Sequence, residues 1–234
     1  DNRISIVELG AIDDKNHDSS EAIKRAISTL SKSGGGTVVI PKGTFLTGPI
    51  HLENNIELHL EHGAHVLFKT NREAYLPVVH TSYEGIEIMN YTPLIYAKNK
   101  TNIAITGSGI LDGQAGNKYW WPWAGKKEYG HVEGNPSQRN ENTIPRQHEM
   151  NRLQTPIEER VFGTDHYFRP QFFQPLMCTN VLVQGVTFIN APFWVIHPLK
   201  SENITVENVT VNSHGPNNDG CNPEYSKNVQ IIGC

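Results

Sequence analysis

The chain has 234 residues, 37% hydrophobic and 19% charged, with a net charge of −4. That length and apolar content suit one globular domain and exclude collagen-like and disordered classes. There is no run of about 18 apolar residues to span a membrane and no global basic excess for nucleic acid. Three cysteines (Cys178, Cys221 and Cys234) exclude a disulfide-dense scaffold and lack the close spacing of a zinc site.

The chain opens Asp1-Asn2-Arg3 with no apolar leader, as in a processed, exported protein or one never exported. Asp18-Ser19-Ser20-Glu21 then reads as a capping box. Ala22, Ile23, Ala26, Ile27 and Leu30 follow on one helical face, which predicts a helix over 18–32. Gly34-Gly35-Gly36 ends it; this triplet follows a helix rather than opening one, so it is not a phosphate loop. Beyond it the pattern is β, beginning at Thr37-Val38-Val39-Ile40 and closed by Pro41-Lys42-Gly43.

Five segments share the template Asn, apolar, any, apolar, starting at Asn55, Asn102, Asn180, Asn203 and Asn228. The last three asparagines are 23 and 25 residues apart, the length of one coil of a β-solenoid. Small residues (Cys178, Ser201 and Ser226) sit two places before them, as equivalent stacked positions would require. The Asn102–Asn180 interval is 78 residues and holds Tyr119-Trp120-Trp121-Pro122-Trp123 and a long polar run. We read about 114–168 as long insertion loops on a single 1–234 domain, with the helix covering the first coil's open edge.

Candidate chemistry is sparse. After Asp18 only Asp112, Asp165 and Asp219 remain among aspartates. Asp219 lies in Pro216-Asn217-Asn218-Asp219-Gly220, a turn able to present a carboxylate to a groove or to satisfy local backbone donors. Asp112 precedes Gly113 and reads as a turn residue. Nothing local supports Asp165. Trp194, His197 and Lys200 lie close together, an aromatic and cationic set suited to an anionic sugar, although a lone histidine is more often structural. Trp120, Trp121 and Trp123 fit either a stacking platform or an apolar anchor for the long loop.

Leu9-Gly10-Ala11, Gly34–Val38, Ile40–Phe45, Leu60–Ala64 and Ile105–Gly113 together resemble the N-terminal signature of pectin-degrading β-helix enzymes. Arg169-Pro170, Asn190–Trp194, Ile196-His197-Pro198 and Pro216–Gly220 narrow the likeness to polygalacturonases of glycoside hydrolase family 28. The resemblance implies an all-β fold, a right-handed parallel β-helix with an N-terminal capping α-helix. It implies inverting hydrolysis of α-glycosidic bonds in pectic polygalacturonan without metal or other cofactor. The partner would be a pectic polysaccharide or oligogalacturonide, and the location secreted or periplasmic, with a leader already removed.

By resemblance, Asn217-Asn218-Asp219 aligns with the family's Asn-Thr-Asp motif, which makes Asp219 the catalytic candidate and puts Asn218 where the family has Thr. Asn217, His197, Trp194, Arg169 and Lys200 are the substrate-binding candidates. The family's later Gly-Asp-Asp, Gly-His-Gly and Arg-Ile-Lys motifs are absent. The partner carboxylates belong one coil after Asp219, so the sequence reads as the N-terminal part of a longer enzyme. An insertion blocking one end of the groove would make it exo-acting. The alternatives are a non-catalytic carbohydrate-binding solenoid and a pectate lyase. A lyase would need clustered acids for calcium, against which the scarcity of aspartate argues.

Overall fold

A computed structural model of the chain describes residues 2–234. Short extended segments with alternating buried and exposed residues coil around a common axis. The first coil begins with β1 (Arg3–Ser5) and β2 (Asp14–Asp18), followed by helix α1 (Ser20–Lys32). A full coil then runs β3 (Gly36–Ile40), β4 (Gly43–Thr47) and β5 (Ile50–His51). The next has β6 (Ile56–Leu60) and β7 (Ala64–Phe68), an excursion carrying the hairpin β8 (Val79–Tyr83) and β9 (Ile86–Asn90), and then β10 (Ile95–Lys98). The following coil has β11 (Thr101–Gly107) and β12 (Ile110–Asp112), a longer excursion containing α2 (Ile144–Arg152), and β13 (Phe173–Leu176). Two further coils carry β14 (Thr179–Gln184) with β15 (Thr187–Ile189) and β16 (Glu202–Glu207) with β17 (Thr210–Asn212), and β18 (Lys227–Ile232) follows.

Apart from the antiparallel hairpin β8–β9, these strands form three parallel sheets. The first runs β1-β3-β6-β11-β14-β16-β18 and the second β2-β4-β7-β12-β15-β17. The third is β5-β10-β13, extended by bridges from Phe173 to Ile196 to Cys221 and from Leu176 to Leu199 to Glu224. The fold is a right-handed parallel β-helix. Equivalent residues stack from coil to coil: Val38, Leu58, Ile105, Val183 and Val206 in one column, and Phe45, Val66, Leu111 and Phe188 in another. All of these are essentially inaccessible to solvent. Burying one such side chain contributes about 1.5–3 kcal/mol, so these columns are the principal source of stability.

The five template asparagines form a continuous ladder. Each Nδ2 donates to the Oδ1 of the preceding coil's asparagine, from Asn228 through Asn203, Asn180 and Asn102 to Asn55, at 2.7–3.1 Å. All five adopt left-handed backbone, φ 55–61°, a conformation asparagine accepts more readily than other side-chain-bearing residues. A second ladder joins the small residues, with Cys178 N donating to Ser201 Oγ and Ser201 N to Ser226 Oγ. Asn102 therefore sits directly beneath Asn180, and the 78 residues between them make one coil plus its excursion. That excursion is not all loop, because α2 and three short 3₁₀ turns lie within it.

Helix α1 buries Ala22, Ile23, Ala26, Ile27 and Leu30 over the first coil, the face read from the sequence. Asp18 caps the helix start, its carboxylate accepting from the Ser20 amide, but the expected box is not completed by a return bond from Glu21, and Ser19 makes no side-chain cap bond. Lys69 pairs with the other Asp18 oxygen, which ties the helix start to the wall. The hairpin β8–β9 was not anticipated. It lies over the outer face of the third sheet, with Tyr96 Oη donating to His80 O, Gln171 Nε2 to Ser82 O and Thr81 Oγ1 to Gln174 Oε1.

Candidate active site

The loop from β17 to the third sheet presents Asn217, Asn218 and Asp219. Asn218 holds the loop's shape. Its Oδ1 accepts from Ser213 Oγ and Gly215 N, and its Nδ2 faces the carbonyls of Ala191, Phe193 and Pro216 at 3.1–3.3 Å. A side-chain amide thus supports the loop, at the position where the resembled motif has a threonine. Gly215 is required by contact: a Cβ there would lie 2.2 Å from the Trp121 ring. Trp121 is fixed by donating its Nε1 to Ala191 O.

Asp219 is exposed, and its carboxylate makes no hydrogen bond among the described residues. Its carbonyl accepts from Val195 N at 2.9 Å, so its rung is directly above that of Trp194. Trp194 is half-buried and packs parallel to Phe193, with His197 edge-on at 4.9 Å between ring centroids. Lys200 is exposed and pairs with Glu87 at 2.8 Å, and Glu87 also contacts His80 at 3.0 Å. Burial alone would raise the Glu87 carboxyl; the bonds from Lys200 and His80 outweigh it and hold it below the usual carboxylate range.

Two expected substrate contacts must be corrected. Arg169 is completely buried. One of its terminal nitrogens donates to Pro216 O and Pro192 O, the other to Asn217 Oδ1, Tyr83 Oη and Gln138 Oε1. Its charge is spent on clamping the Asn217 loop, the hairpin and the long excursion together, so it reaches no ligand. Burial pushes the Tyr83 hydroxyl up to about 12, which keeps it neutral within the clamp. His197 is also completely buried, bonded to Gln174 on one ring nitrogen and Glu224 on the other. Asn217, Asp219, Trp194 and Lys200 remain accessible. Asp112 receives bonds from Gln114 N, Asn190 Nδ2 and His65 Nε2, which fits its turn reading. Trp120 and Trp123 pack against each other and against Tyr91, with Trp120 also against Tyr75, and anchor the excursion.

The hairpin tip, Glu84-Gly85, meets the site from the side of the earlier coils. Asn217 Nδ2 faces Glu84 Oε1 at 3.4 Å, and a Cβ on Gly85 would lie 3.7 Å from Glu224 Oε2. The sequence signal for this wall was present: two alternating runs, Val79–Tyr83 and Ile86–Asn90, joined through Glu84-Gly85. An open groove of about 710 Å³ lies elsewhere, on the first sheet beside the asparagine ladder. Its residues include Glu57 as the only charged group, and none belongs to the Asp219 loop.

The family described as Glycosyl hydrolases family 28 matches residues 163–234, which contain the Asn217–Asp219 loop. A solved structure of a hyperthermoactive exopolygalacturonase from Thermotoga maritima is 50% identical with a TM-score of 0.95, over 99% of this chain and 52% of that one. A family 28 exopolygalacturonase from Yersinia enterocolitica is 25% identical with a TM-score of 0.74, over 99% of this chain and 42% of that one. A probable polygalacturonase from Vitis vinifera is 28% identical over 98% of this chain and 41% of its own length. The chain thus spans about half the length of these relatives or less, and it is similar to family 28 polygalacturonases along nearly all of its own.

Proposed function

We propose that this chain forms the substrate-facing half of an inverting polygalacturonase with Asp219 as a catalytic carboxylate. The observation that carries the reading is the exposed, unpartnered Asp219 carboxylate on a loop stitched in place by Asn218 and the buried Arg169. Inversion needs an acid on the leaving oxygen and a base that activates water from the opposite face, about 6.5–9.5 Å apart. Asp219 takes the water-activating role. The acid is to be sought in the remainder of the complete protein, since the relatives are about twice as long. Neighbouring carboxylates would raise one another's proton affinity and keep one of them protonated at working pH.

Trp194 offers an aromatic face and Lys200 a cation for a uronate. The hairpin tip closes the site towards the earlier coils, so a polymer would enter by its end. The preferred action is therefore removal of terminal galacturonate. A pectic substrate also implies a protein that works outside the cell. No helix is long and apolar enough to cross a membrane.

The test is release of reducing ends from polygalacturonate by the full-length protein. Asp219→Asn is expected to lower kcat at least a thousandfold while leaving the fold intact. Wild-type binding without release would support a non-catalytic solenoid instead.

A further inference from the structure

Three completely buried polar side chains run in series between the hairpin and the third sheet's outer face. Thr81 Oγ1 donates to Gln174 Oε1 at 2.7 Å, and Gln174 Nε2 faces His197 Nδ1 at 3.0 Å. Gln174 Oε1 is already an acceptor, so its amide nitrogen is the donor to His197. His197 Nδ1 is therefore an acceptor and its proton sits on Nε2, which points at Glu224 Oε1 at 3.3 Å. Buried polar groups are costly unless each is paired, and here each pairs with the next. The series ends at the surface, on a carboxylate whose side chain is 22% exposed. Only Glu224 Oε1 is used; Oε2 makes no hydrogen bond among the described residues and lies beside the hairpin tip.

We propose that Glu224, oriented by His197, is a second substrate-binding carboxylate that accepts hydrogen bonds from the ring hydroxyls of a pectic sugar. The inference rests on the polygalacturonase reading above. Glu224 lies five residues after Asp219 on the same rung, so their Cα atoms are at most about 17 Å apart. Both carboxylates therefore lie within reach of one short oligosaccharide. The hairpin tip touches Asn217 on one side and approaches Glu224 on the other, forming the end wall between them. A carboxylate repels the uronate group and accepts only from donors, so the hydroxyl edge of the sugar faces Glu224. His197 acts through Glu224 and is a positioning residue. The arrangement also gives specificity, because a site built to accept from a hydroxyl rejects a sugar whose hydroxyl is acetylated.

The experiment uses the full-length protein with pentagalacturonate and its O-acetylated form. Glu224→Ala is expected to raise KM about ten- to a hundredfold with kcat changed less than about threefold, as for loss of a charged hydrogen bond. It should also lose about tenfold of the discrimination against the acetylated substrate. Glu224→Gln keeps an acceptor oxygen and should recover part of the KM; if the alanine variant does not fold, this isosteric variant carries the reading with a smaller rise. His197→Gln should raise KM alone but add nothing in the Glu224→Ala background, whereas a merely structural role would add. A wild type that releases reducing ends, with Glu224 variants of unchanged KM, overturns this inference alone. A wild type that releases none overturns the polygalacturonase reading and this inference with it.

Discussion

Asn180 stacks directly on Asn102, 78 residues earlier in the chain, with its Nδ2 donating to Asn102 Oδ1 at 2.8 Å. The contact shows that this solenoid keeps its rung geometry across the long excursion, with matching corner residues on either side. The excursions are free to carry function while the ladder holds the register.

Asn180 both donates to Asn102 and accepts from Asn203, in left-handed backbone. Asn180→Gly keeps the backbone and loses the amide, at a cost of about 1–2 kcal/mol. Asn180→Ala also places a Cβ in a strained conformation and should cost about 1–2 kcal/mol more. Urea unfolding of the two variants separates the two contributions.

Arg169 touches the hairpin, the long excursion and the Asn217 loop with one guanidinium. A lysine supplies the charge but not the fork. Arg169→Lys is therefore expected to lower stability by about 3 kcal/mol and to reduce kcat through misplacement of Asp219. Thermal melting and steady-state rates on the same sample check both. Unaltered stability with lost binding would return Arg169 to the substrate contacts.

The repeats were legible because their chemistry is local. Asn, apolar, any, apolar needs one residue type per position, and the small residues two places earlier mark the same corner. The α1 face was legible for the same reason. The burial of Arg169 and His197 was not. Both have residue types suited to an anionic sugar, and only the packing of the hairpin over the third sheet converts them into internal supports. Glu224 was missed because its neighbours Pro223 and Tyr225 carry no chemical signal, and its partner lies 27 residues away.

Gly215 lies against the Trp121 ring, where a Cβ would be 2.2–2.5 Å from three ring atoms. The indole must move or the loop must open. Gly215→Ala is expected to lose about 1–3 kcal/mol and to lower kcat more than it raises KM. Gly215→Ala combined with Trp121→Phe should recover part of the stability, because the smaller ring leaves space. A fluorescence-monitored denaturant titration reads both.

Burial depresses His51, His80 and His166 below the ordinary histidine value. The unfolded chain takes up their protons near pH 6.5, while the folded chain resists. Stability should therefore fall as the pH drops below about 6.5. It should fall again as the pH passes down through the depressed range of Glu87, where the Lys200 and His80 bonds to it are lost. Urea midpoints taken from pH 7 to pH 3 test the sign. His80→Gln should make the first decline shallower.

Water activation by Asp219 beside the hairpin tip is the step on which the proposed polygalacturonase activity turns. The most direct measurement follows the products of the full-length protein on polygalacturonate by proton NMR and chromatography from the first seconds. The account predicts monogalacturonate as the first product, initially in the β configuration, and none from Asp219→Asn. Mixed-length oligomers first, an initial α product, an unsaturated product or an active Asp219→Asn would contradict it.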